Sequence, residues 1–130
     1  MEIKALADLY LVYYNESLPS LNDTELCQLD NELVMIHCDA EGSIVQLLFQ
    51  ASITQSTAKQ SMPESIGYLA NLITLRLTGG TFYRVADSIG NLTRLRLLDL
   101  SDNLLVQVSE SIGKLILLEE LILQSNQLKE

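Results

Sequence analysis

The side chains with the most reactive chemistry are Cys27, His37 and Cys38. A thiol beside an imidazole is the raw material of a nucleophile and its base, and two cysteines with a histidine begin a zinc site. The spacing argues against both readings. A structural zinc site takes four ligands, whereas His37 is the sole histidine and no second cysteine pair exists. Neighbours on an extended segment project to opposite faces, so His37 and Cys38 do not readily share a proton. The same divergence separates the carboxylates of Glu119 and Glu120. Gly79 and Gly80 stand outside any Gly-x-Gly-x-x-Gly or Walker pattern and cradle no phosphate. No catalytic residue, metal or cofactor is therefore expected, and the chain is read as not an enzyme.

Charge narrows the partners. The 130 residues carry a formal charge of -9, and residues 1–60 hold nine acidic side chains against only Lys4 and Lys59. Clustered Lys and Arg, which phosphate backbones and anionic lipid headgroups require, are missing, so nucleic acid and membrane surface are poor partners. Charge or glycine cuts every apolar stretch well before the length of a spanning helix, so no membrane insertion is expected. At 48% apolar and 19% charged, the composition is that of a packed domain.

The elements that position these side chains follow from self-similarity. Ser65-Ile66-Gly67 returns as Ser88-Ile89-Gly90 and Ser111-Ile112-Gly113, each 23 residues on. Leu69, Leu92 and Leu115 move with it, as do Leu72, Leu95 and Leu118, then Leu75, Leu98 and Leu121, then Leu77, Leu100 and Leu123. Gly80, Asn103 and Asn126 come next, followed by Phe82, Leu105 and Leu128. A coiled coil would need a period of about 3.5 and would not place glycine in every unit. The unit, L-x-x-L-x-x-L-x-L-x-x-N-x-L with a turn and S-I-G, resembles the leucine-rich repeat family over residues 62–130.

That resemblance implies an α/β solenoid: a short parallel β-sheet on the concave face, 3₁₀ or short helical turns on the convex face, and an N-terminal capping helix. The domains are read as a cap at 1–43 and repeats at 44–130. The repeats comprise a degenerate turn at 44–68 and regular turns starting at 69, 92 and 115. Alternation in Leu75-Arg76-Leu77, Leu98-Asp99-Leu100 and Leu121-Ile122-Leu123 supplies one strand per turn. Asn103 and Asn126 sit where the chain leaves the strand, and an amide that both donates and accepts suits backbone groups deprived of water there. The family stacks such asparagines as a ladder. Gly80 cannot contribute, so the turn Thr78-Gly79-Gly80 is expected to be the softest. In the degenerate turn, Phe49 to Met62 spans 13 residues where Leu77 to Val85 spans eight, and the polar stretch Ser52 to Ser61 is read as a surface loop.

Ahead of the repeats, Ile3, Leu6, Ala7, Leu9, Tyr10, Tyr13 and Tyr14 recur at helical spacing, with Asn15 and Pro19 as stop signals. Ala5 to Tyr10, Cys27, and Met35 to Leu47 together resemble the plant-type cap of extracellular leucine-rich repeat proteins, without that cap's tryptophans and with a longer cysteine spacing. The resemblance implies a disulfide between Cys27 and Cys38; two free structural thiols are the alternative. It also places the chain outside the cell, with cytoplasm as the alternative, and no signal peptide is read within residues 1–14. Triplets for N-glycosylation occur at Asn15, Asn22 and Asn91.

The expected function is binding of a protein or peptide on the concave strands. The residues between the strand leucines form rows about 4.8 Å apart. These are Ile73, Arg96 and Glu119; Thr74, Leu97 and Glu120; Arg76, Asp99 and Ile122; and Thr78, Ser101 and Gln124. Ile73, Leu97 and Ile122 are expected to expose apolar surface beside the charges, a mixture that partner surfaces carry. Holding strands in register is the bland alternative for the pairs Arg96 with Glu119 and Arg76 with Asp99. A second class of function is a structural unit or a fragment of a longer receptor-type array, in which the open C-terminal strand edge pairs with another copy or a further turn.

Overall fold

Strand alternation and the 23-residue period together require that each turn lay its strand beside the previous one. In the computed structural model, which describes residues 2–14, 23–31, 33–50 and 58–129, they do so. Helix α1 (Glu2–Tyr14) and the short α2 (Asp23–Leu26) precede strands β1 (Val34–Cys38) and β2 (Ile44–Gln50). Then come β3 (Gln60–Ser61), β4 (Thr74–Thr78), β5 (Phe82–Arg84), β6 (Leu97–Asp99) and β7 (Glu120–Ile122). The main sheet runs β1-β2-β4-β6-β7, parallel throughout except for the antiparallel pair β1 and β2. Its register places Leu47, Leu75, Leu98 and Leu121 side by side.

The Ser-Ile-Gly segments are the 3₁₀ turns Glu64–Tyr68, Asp87–Asn91 and Glu110–Lys114. Pro63, Ala86 and Ser109 enter them in extended conformation. The backbone then closes with bonds of three-residue span, such as Ile66 N to Pro63 O at 3.1 Å and Leu69 N to Ile66 O at 3.1 Å. The turns bond to one another as well: the Glu64 carboxylate accepts from the Asp87 and Ser88 amides at 3.2 and 3.0 Å. Between strands and 3₁₀ turns lies a continuous apolar interior, with Ile66, Leu69, Leu72, Leu75, Leu77, Ile89, Leu92, Leu95 and Leu98 at 0% exposure.

Close stacking explains the glycines. A Cβ built on Gly67 would lie 2.8 Å from Ser88 Cβ and 3.1 Å from the Ser88 carbonyl, whereas one on Gly113 meets nothing within 4 Å. Gly67→Ala is expected to cost about 1 to 3 kcal/mol through overpacking. Gly113→Ala should stay within about 0.5 kcal/mol of the parent. Urea titrations of the two variants check this, and equal midpoints would rule out the stacking account. A second periodic demand falls where the chain leaves the strand: Gly79, Asp102 and Ser125 all have positive φ, at 67°, 56° and 56°. Glycine meets that demand without strain; aspartate and serine do so at a small cost.

Helix α1 packs on the 3₁₀ turn Glu64–Tyr68 and on β2. Ala5, Leu6 and Leu9 are buried, and the Tyr10 ring meets Phe49 edge-on at 6.3 Å. Expected helix residues Ala7 and Tyr10 are half-buried. The side chains of Ile3, Tyr13 and Tyr14 and the stop signals Asn15 and Pro19 lie outside the described residues. Cys27 and Cys38 form a disulfide that ties the turn after α2 to the end of β1 across a separation of 11 residues. By loop-closure entropy it stabilises by roughly 2 to 3 kcal/mol.

Two elements go beyond the sequence reading, which puts His37 and Cys38 on an extended segment but assigns it no partner strand, and which makes the polar stretch 52–61 a loop. Residues 34–38 form a strand of the main sheet, antiparallel because a tight turn at Asp39–Gly42 returns the chain directly to β2; Gly42 has φ 85° there. The end of the polar stretch read as a loop is also ordered: Gln60 and Ser61 pair in parallel with Phe82–Arg84 in a second, two-stranded sheet. Residues 52–57 of that stretch lie outside the described residues.

Candidate functional site

Alternate residues of the main strands turn away from the leucine interior, and Ile73, Arg96 and Glu119, just ahead of β4, β6 and β7, add a further row at the strand entries, making four. Backbone bonds stack Val45, Ile73, Arg96 and Glu119, with Ile73 N to Val45 O, Arg96 N to Ile73 O and Glu119 N to Arg96 O all at 2.8 Å. The next row is Gln46, Thr74, Leu97 and Glu120, and the central one is Leu48, Arg76, Asp99 and Ile122. Thr78 is paired with Gln50, while Ser101 and Gln124 follow β6 and β7. The register of the central rows matches the spacing of the repeat. Strand β1 adds His37 opposite Gln46 and Met35 opposite Leu48, a widening that the repeat pattern alone does not contain.

Exposure along these rows is uneven. Arg96, Glu119, Glu120 and Gln124 are exposed; Thr74, Arg76 and Thr78 are half-buried. Ile73, Leu97 and Ile122, expected to present apolar surface, are half-buried too, as are Val45, Leu48 and Met35. Asp99 and Ser101 correct the expectation of a solvent-facing row, being only 7% and 5% exposed. Asp99 Oδ1 accepts from the Ser101 amide at 3.0 Å and from its hydroxyl at 2.7 Å, so the pair folds onto itself at the end of β6. Arg76 lies 3.9 Å from the other carboxylate oxygen. The Asp99 charge is thus spent within the fold. Arg96 donates to Glu119 at 2.6 Å, but both side chains are more than half exposed, and such a pair contributes a few tenths of a kcal/mol.

The asparagines bond in a repeating pattern that each turn offers the one before. Asn103 Nδ2 donates to the carbonyls of Leu77, Leu100 and Ser101, while its Oδ1 accepts from the Phe82 amide. Asn126 repeats this on Leu100, Leu123, Gln124 and Leu105. The Thr78–Gly80 turn, which has no asparagine of its own, is therefore served by Asn103. Each asparagine bonds both its own turn and the one before, so its absence is felt by two turns.

The residues singled out for reactive chemistry are placed apart or spent. The Cys38 sulfur is bonded to Cys27, so it is not a thiolate, and His37 Nδ1 lies 3.3 Å from Gln46 Oε1 on the strand face. Among the described residues no three of His, Cys, Asp and Glu converge to hold a metal. The Ser65 hydroxyl donating to Asp8 holds that carboxyl below its ordinary value, helped by Lys4. Burial raises the Glu2 carboxyl. No described helix is long and apolar enough to cross a membrane.

Neither a family model nor a curated protein matches the chain. Among solved structures, a leucine-rich repeat protein of Leptospira interrogans is similar, with 32% identity and a TM-score of 0.53 over 62% of this chain. The match covers 20% of that protein, so the chain spans about a fifth of its length.

Proposed function

We propose that this chain, whose fold is that of the leucine-rich repeat proteins, is a non-catalytic module that binds a protein or peptide on its strand face. Residues 1–43, with their disulfide, act in this reading as the plant-type cap that shields the first turn. One observation carries the proposal. Half-buried Leu48, Leu97 and Ile122 lie among exposed Gln46, Arg96, Glu119 and Glu120 on one continuous face. A partner covering that face would desolvate the apolar atoms while the polar rim sets its orientation. The candidate contacts are Ile73, Thr74, Arg76, Thr78, Arg96, Leu97, Glu119, Glu120, Ile122 and Gln124; Asp99 and Ser101 serve by shaping the strand end.

Combined replacement of Arg76, Leu97 and Ile122 by alanine is expected to weaken capture of a partner in pull-downs by about tenfold or more, since central apolar and Arg contacts dominate such interfaces. Asp99 is kept, because its loss would unpair Ser101. Undiminished capture by a variant with an unchanged circular dichroism spectrum would count against this face.

A second reading, pairing through the edge of β7 with a strand of another copy or of a continuing array, is favoured by Leu121. That side chain is 41% exposed, while its register partners Leu75 and Leu98 are at 0%. Light scattering across a concentration series separates the two forms of this reading. A mass fixed at one chain would exclude self-pairing.

A further inference from the structure

Asn91, Leu92 and Thr93 spell the acceptor triplet for N-linked oligosaccharide, and the fold divides their roles. Asn91 and Thr93 are exposed while Leu92 is at 0% exposure, anchoring the segment to the core between them. The triplet closes the 3₁₀ turn Asp87–Asn91, on the side of the solenoid away from the strand face. Its neighbour at the equivalent position one turn earlier is Tyr68, 43% exposed, and the two line one open depression with Gly67. A Cβ on Gly67 would stand 3.0 Å from Asn91 Nδ2, so the bare glycine leaves clearance beside that amide. The Cys27–Cys38 disulfide is an independent observation pointing the same way. Such bonds persist in oxidising compartments, among them the lumen in which N-glycans are attached.

We propose that Asn91 is an acceptor for N-linked oligosaccharide, placed so that carbohydrate covers the 3₁₀ side of the first two turns and leaves the strand face open. In the transfer, Asn91 Nδ2 forms a bond to the anomeric carbon of an oligosaccharide carried on a lipid pyrophosphate. The carbon–oxygen bond to the pyrophosphate breaks, the lipid pyrophosphate leaves, and the amide nitrogen gives up one proton. The Tyr68 ring then offers an apolar surface to the first sugar. The triplets at Asn15 and Asn22 lie outside the described residues, and the test is built to exclude them.

The chain is secreted from a eukaryotic host behind a leader peptide and digested with trypsin. Cleavage after Arg84 and Arg94 isolates a peptide of residues 85–94 in which Asn91 is the sole asparagine. That peptide is expected mainly after treatment with a peptide N-glycosidase, carrying the mass of asparagine converted to aspartate. Thr93→Ala should return it unmodified, and Thr93→Ser should keep it occupied. Because transfer occurs on the nascent chain and is read on a peptide, a variant that folds poorly still reports. Recovery of unmodified 85–94 from the disulfide-bonded secreted chain, before any glycosidase, would overturn the proposal.

Discussion

Asn103→Ala is expected to lower stability by about 3 kcal/mol or more, a large part of the roughly 5 to 15 kcal/mol that holds a small domain folded. The amide is buried, at 5% exposure, and satisfies the carbonyls of Leu77, Leu100 and Ser101 and the amide of Phe82. Alanine removes the side-chain amide from all four, at a position that the fold closes to bulk water. Each buried group left unpaired costs about 1 to 3 kcal/mol; Leu100 O keeps a donor from Asn126 at 2.9 Å and Ser101 O keeps the Gly79 amide at 3.3 Å, so the loss falls mainly on the Leu77 carbonyl. Asn126→Ala is the internal control: the same bonds are made, but that residue is only half-buried, so water can substitute and the loss should be about 1 kcal/mol. Denaturant titration followed by far-ultraviolet circular dichroism measures both. Equal losses for the two variants would show that burial does not set the cost, and the ladder argument would fail.

Leu98→Ala should destabilise by about 2 to 5 kcal/mol, the range for deleting a buried leucine whose surroundings relax only in part. Leu98 stands at 0% exposure in the middle of the sheet, with Leu75 on one side in register and Leu121 on the other. In a solenoid each turn contacts only its neighbours, so a cavity in a middle turn weakens two interfaces at once. Leu121→Ala tests the same chemistry where the side chain is 41% exposed, and its cost should be about 1 kcal/mol or less. A Leu121→Ala variant as unstable as Leu98→Ala would mean that the last turn is packed far better than this arrangement allows.

How much of this was legible beforehand depends on whether a residue's neighbours lie one period away. Leu75, Leu98 and Leu121 announce their alignment because 23 residues of similar chain bring like to like, and Asn103 and Asn126 announce their ladder for the same reason. Strand β1 gave no such signal. Val34 to Cys38 stand outside the repeat, and their pairing with β2 depends on the turn at Asp39–Gly42. Gln60 and Ser61 are polar and short, and only the position of Phe82–Arg84 makes them a strand. Asp99 and Ser101 sit at positions that alternation assigns to solvent. Their burial comes from a local choice: the serine donates twice to the carboxylate instead of to water.

The amino-acid sequence by itself determined the period, the inward leucines, the glycine-bearing turns and the order of the rows on the strand face. Each of these is a demand that a covalently repeated pattern makes of its own copy. Tertiary structure alone decided which row residues meet solvent, how far the sheet extends beyond the repeats, and which turn each asparagine serves. These depend on distances between groups that no periodicity relates, such as His37 to Gln46 or Asp8 to Ser65. Free energies of burial and hydrogen bonding are set by such local surroundings rather than by residue type.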